Sequence, residues 1–64
     1  SNRELDVFRM LGHGLGTRPI AAKLRVATST VETHRAAIKR KLGLAGATEL
    51  VARAARFVAD EHDG

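Results

Sequence analysis

The chain has no cysteine, no tryptophan and no tyrosine, and it has a single proline. Without cysteine there is no disulfide framework and no thiolate metal site, which suits a reducing, cytoplasmic setting. Aromatic residues make up 3% of the chain, the two phenylalanines, so any core must be small and aliphatic. No apolar run approaches the ~20 residues that span a bilayer. Nothing resembles a signal peptide. Period-two alternation, internal repeats and low-complexity segments are all missing. The 64 residues allow one domain, and a chain of this size buries only about 60% of its unfolded surface. The chain starts at Ser1, inside a helix-start pattern and without methionine, and so reads as a piece of a longer protein.

What is present is charge, unevenly placed. Residues 1–41 hold nine lysines and arginines against three acids, a net of +6, while residues 42–64 hold two against four, a net of −2. A small domain with its positive charge gathered at one end suits a polyanionic partner.

Four helices are expected. Ser1 and Glu4 have capping-box spacing, and Leu5, Phe8 and Leu11 follow at helical spacing, widened by Val7 and Met10, to about Gly12. The stretch "GHGLG" ends this helix, with Leu15 tucked into the core. No strand precedes it and no Gly-Lys-Ser/Thr follows, so it is a turn and not a phosphate loop. A short second helix, "TRPIAAKL", takes Pro19 in its first turn and buries Ile20, Ala21 and Leu24. The third helix, 29–42, places Val31, His34, Ile38 and Leu42 in one arc at about 100° per residue. Gly43 closes it, and Lys39, Arg40 and Lys41 suit its negative dipole end. The fourth helix, 47–60, turns Leu50, Ala54 and Phe57 inward. Val51, Ala55 and Val58 extend its apolar surface toward a second partner. Residues 61–64 then form a disordered acidic tail.

Opposite the buried arc of the third helix stand Ser29, Thr33, Ala36 and Arg40, with Glu32 on the shoulder. A glutamate is a poor phosphate ligand but a good acceptor for a base amine. His34, on the inner side, lacks metal-binding company in His13 and His62 and lacks a nucleophile within reach. It reads as a half-buried, hydrogen-bonded residue that fixes the helix. No constellation of titratable groups supports catalysis, and no cofactor or small-molecule ligand is implied.

The segments "SNRE", "GLGTRPIAAKL", "TVETHRAAIKRKLGL" and "ATEL" occur in an order and spacing that resembles the LuxR/NarL/FixJ (GerE-type) helix-turn-helix domain of bacterial transcription regulators. The resemblance covers roughly residues 1–58 and implies an all-α, four-helix domain over 1–60. In that family the second and third helices form the helix-turn-helix, the third enters the DNA major groove, and the fourth commonly carries dimer contacts. The sequence departs from the family pattern at Gly16 and Ala27, where a capping serine is usual, at Pro19, where glutamate is usual, and at Arg25, where glycine or asparagine is frequent. Thr17, and Thr28 or Ser29, are the substitute caps on offer.

The resemblance and the helical geometry together imply double-stranded DNA as the partner, bound by a homodimer. Glu32, Thr33 and Ala36 are the candidate base readers: glutamate accepts from cytosine N4, threonine bonds either way, and alanine meets a thymine methyl. Thr17, Arg18, Lys23, Thr28, Ser29, Arg35, Lys39 and Arg40 are the candidate phosphate contacts, Arg35 having to extend from the core edge. Val51, Ala55 and Val58 are the candidate dimer face. The competing reading is a protein-interaction module of the same fold, docking on RNA polymerase or a regulatory partner.

Overall fold

A computed structural model describes residues 2–63, with side chains through Glu61. The expected cap at Ser1 and the tail's Gly64 lie outside the described residues. The fold is all-α: α1 Asn2–Gly12, α2 Thr17–Leu24, α3 Thr28–Leu42 and α4 Ala47–Asp63, with no strand among the described residues. Helix α1 is the hub, packing against α4, α3 and α2, and α2 packs against α3.

The core is aliphatic. Val7 and Leu11 of α1, Ile20 and Ala21 of α2, Val31 and Ile38 of α3, and Leu50 and Ala54 of α4 are all buried. Each helix contributes two residues, at i,i+4 or i,i+7 spacing in α1, α3 and α4 and as neighbours in the short α2, so the fold follows the sequence periodicity in the three longer helices. The contact of α1 with α4 is close because Gly12 has no side chain. A Cβ there would stand 2.5 Å from the Ala54 carbonyl oxygen and 2.5 Å from Val58 Cγ2. Nearby, Phe8 and Phe57 stack with ring centroids 5.2 Å apart, tilted by 49°.

Three helices end by one device. Each runs into a left-handed residue, Gly14 (φ 91°), Arg25 (φ 58°) and Gly43 (φ 68°). The next residue's N–H then reaches back five positions: Leu15 to Met10 O at 3.0 Å, Val26 to Ala21 O at 3.0 Å, and Leu44 to Lys39 O at 2.9 Å. This is the Schellman arrangement, which pairs with an apolar contact from the same residue. Leu15, Val26 and Leu44 all pack against the core.

Three expectations change. Leu5 and Leu42 are 39% and 40% exposed rather than buried. Both lie near helix ends, lining an open groove of about 720 Å³ among α1, α3 and α4 that no further element closes. Helix α4 continues past residue 60 to Asp63. Glu61 is drawn into it by Arg9, whose Nη2 and Nε donate to the carboxylate at 2.6 and 3.2 Å. His34 is half-buried as expected, but its ring makes no hydrogen bond among the described residues. Its place on the inner side is set by helical phase alone.

Candidate nucleic-acid interface

Helices α2 and α3 are joined by the residues 25–27, with Arg25 in the left-handed conformation that turns the chain. With Val31 and Ile38 facing the core, helical phase sends Thr33 and Ala36 to the opposite side and Glu32 to its shoulder, and all three are exposed. Glu32 and Thr33 lie in the N-terminal half of α3 and Ala36 just past its midpoint, near the part of a recognition helix that reaches base edges.

Three basic residues are bound to carboxylates away from the exposed face of α3. Lys41 on α3 bonds Glu4 on α1 at 2.7 Å, Arg9 bonds Glu61, and Arg3 pairs with Asp6 at 3.5 Å. These charges are spent on holding helices together or on a neighbour of the same helix. The Lys41 hydrogen bond also holds the Glu4 carboxyl below its ordinary value of 4.5, against a desolvation cost that works the other way. Around the α3 face the pattern reverses: Arg18, Lys23, Lys39 and Arg40 enter no ion pair among the described residues. Arg18, Lys23 and Arg40 are exposed and Lys39 is half-buried. Counted by helix, α2 and α3 carry six lysines and arginines against the single acid Glu32, whereas α1 and α4 carry four arginines, of which Arg53 and Arg56 enter no ion pair among the described residues, against six acids.

The two helix starts at this face are bare. Gly16 and Ala27 are the N-caps of α2 and α3, and neither start has a side-chain cap. Thr17, Thr28 and Ser29 do not step in as caps. Residues 17 and 18, and residues 28 and 29, keep backbone N–H groups without an intrahelical partner, as the first turn of any helix does.

Glu32 is not solitary. Its Oε2 accepts a hydrogen bond from the Thr17 hydroxyl at 3.0 Å. The same hydroxyl oxygen accepts from Arg35 Nη1 at 3.3 Å, and Arg35 Nε lies 3.9 Å from Oε2. The Arg35 side chain, 17% exposed, has turned toward α2 rather than outward, while Glu32 remains 60% exposed. The Glu32–Arg35 pair was legible as an i,i+3 spacing, but nothing local in the sequence joins Thr17 to a residue fifteen positions away. Thr33 Oγ1 donates to Ser29 O at 3.0 Å, so its hydroxyl proton is in use and its lone pairs and methyl face outward.

On α4, Val51 is 40% exposed and Ala55 is exposed. Val51 lines a shallow apolar hollow with Ala47, Thr48 and Ala52. Val58 is half-buried and pressed against Gly12. Among the described residues no group of three His, Asp or Glu side chains is placed to hold a metal ion, and no helix is long and apolar enough to cross a membrane.

Over residues 1–54 the chain matches the family described as bacterial regulatory proteins, luxR family. It is 45% identical over 51 residues to the oxygen regulatory protein NreC of Staphylococcus aureus, in strains JH9, USA300 and NCTC 8325. That alignment covers 80% of this chain and 24% of each relative's length. No solved structure matches it significantly. The chain therefore belongs to the LuxR family of bacterial regulatory proteins, as a four-helix DNA-binding domain of a transcription regulator.

Proposed function

We propose that this domain binds duplex DNA sequence-specifically, with α3 in the major groove, as the effector part of a longer cytoplasmic regulator of the response-regulator kind. The observation that carries the reading is the division of charge. Helices α2 and α3 carry six lysines and arginines against one acid, and of these Arg18, Lys23, Lys39 and Arg40 enter no ion pair among the described residues, while on α1 and α4 acids outnumber arginines. Unpaired cations are what phosphate contact requires, and phosphate contact supplies most of the affinity. Lys23, Lys39, Arg40 and Arg18 flank the exposed residues 32, 33 and 36, so that phosphates position the helix and Glu32, Thr33 and Ala36 meet base edges. The bare starts of α2 and α3, at Thr17–Arg18 and Thr28–Ser29, add backbone donors of the kind that hold phosphates. Arg35 contributes less directly, through its bond to Thr17. Two copies bind half-sites about one helical turn apart, meeting through Val51 and Ala55 of α4, with Val58 at the edge of that face.

The test is selection of the purified 64-residue chain against a randomised duplex pool at two salt concentrations. The expected result is enrichment of an inverted repeat, with affinity falling steeply as salt rises. Salt-sensitive binding without enrichment would overturn base reading. The chain would then be a basic module whose partner is a protein such as RNA polymerase.

A further inference from the structure

Resting on the major-groove reading, we infer that Thr17 is a positioning residue for specificity: it holds Glu32 so that the recognition helix selects cytosine. The observation is the closed set of contacts between α2 and α3. Oε2 of Glu32 is engaged by the Thr17 hydroxyl at 3.0 Å, and that hydroxyl is itself held by Arg35 Nη1 at 3.3 Å. The Arg35 guanidinium, 3.9 Å from Oε2, offsets the carboxylate charge.

Three consequences follow from the chemistry. A free glutamate samples many rotamers and must be ordered on binding, at a cost in side-chain entropy. A glutamate tethered through one oxygen has made part of that ordering beforehand and keeps Oε1 out of any hydrogen bond among the described residues. A bare carboxylate is also repelled by the flanking phosphates, and the adjacent guanidinium reduces that repulsion. Finally, a carboxylate offers acceptors only. Among major-groove edges, cytosine N4 offers a donor. Guanine offers acceptors at N7 and O6, thymine an acceptor at O4, and adenine a donor flanked by the N7 acceptor. A carboxylate oxygen with no donor of its own fits cytosine, meets acceptors at guanine and thymine, and at adenine finds the donor beside the N7 acceptor.

Thr17 caps no helix, since α2 has no side-chain cap, so Thr17→Val removes the bonds to Glu32 and Arg35 without removing a cap, and circular dichroism checks that each variant is folded. The experiment measures affinity for the selected duplex and for its counterparts changed at each base pair, using the parent, Thr17→Val, Thr17→Ser, Glu32→Ala and the double variant Thr17→Val/Glu32→Ala. The parent should prefer cytosine at one position per half-site by about 10-fold. Thr17→Val should lose most of that preference, read as the ratio of its affinities for the selected and the counterpart duplexes. Thr17→Ser should restore the preference. In the Glu32→Ala background, Thr17→Val should do nothing further, because a residue acting through another has no effect once that other is gone.

An equal loss of affinity for every duplex, persisting without Glu32, would make Thr17 a phosphate contact and overturn the inference. So would a cytosine preference that survives Thr17→Val. If the parent shows no preference at any position, the base-reading proposal itself has failed, and that result is distinguishable because it appears before any variant is compared.

Discussion

Arg25 carries the one left-handed backbone conformation outside glycine among the described residues, at φ 58° and ψ 46°. The conformation is forced by its place: it ends α2, frees Val26 to pack on the core, and starts the turn into α3. An L residue pays for this through Cβ crowding, roughly 1 kcal/mol, whereas glycine at the same point pays only in unfolded-chain entropy. The side chain is exposed and makes no ion pair among the described residues. Arg25→Gly should therefore stabilise the domain, by about 0.5 kcal/mol once the entropy is subtracted. Urea unfolding followed by circular dichroism at 222 nm measures this, since the chain has no tryptophan or tyrosine to report by fluorescence. A loss of stability would mean that the arginine side chain holds the turn in a way its exposure conceals. The sequence marked this position, because Arg25 stands where glycine or asparagine is frequent in the family pattern. The left-handed backbone is the physical content of that departure.

Between elements, much of the fold was legible and the site less so, for a reason of range. The helices follow from periodicity, glycines and one proline, all local signals. Leu5 and Leu42 obeyed the same periodicity and yet stand open, because phase states which face a residue takes and not whether another helix reaches that far. Contacts across elements are not local at all: Thr17 with Glu32, Arg9 with Glu61 and Lys41 with Glu4 join residues that no window of the sequence connects. The last of these gives a pH prediction. The Lys41 hydrogen bond lowers the folded-state pKa of Glu4 below its ordinary 4.5. A depressed carboxylate contributes stability above the unfolded pKa and loses it as the pH falls through the folded one. Glu4→Gln should thus be less stable than the parent at pH 7, and the difference should shrink below pH 4.5 toward zero. Melting temperatures of both proteins from pH 7 down to pH 3 would test it. A gap that stays constant across that range would assign the effect of the substitution to packing and not to charge.

At the scale of the whole molecule, the question is which surfaces remain after folding has used what it needs. Acids outnumber arginines on α1 and α4, where Arg9 is bound by Glu61 and Glu4 by Lys41, whereas α2 and α3 keep a net positive charge. The apolar surface of α4 divides in the same way. Val58 is committed to the close crossing at Gly12, so any variant there confounds folding with assembly. Val51, 40% exposed and beside a shallow apolar hollow, takes part in no comparable packing. It is the clean probe of dimerisation. Val51→Asp places a charge on a face that assembly would have to desolvate, which is prohibitive unless the charge is paired, while costing the isolated fold little, because an exposed helical position tolerates substitution. The expected outcome has two parts. Circular dichroism and melting should change only slightly. Binding to a full inverted repeat should fall to the level of binding to a single half-site, with the base preference within each half-site intact. If Val51→Asp binds the full repeat as tightly as the parent does, α4 is not the dimer face, and two domains on DNA would have to be held together by the rest of the longer chain. If the preference within the half-site is lost as well, α4 bears on the reading helix through the core, and the separation of the molecule into a reading side and an assembly side does not hold.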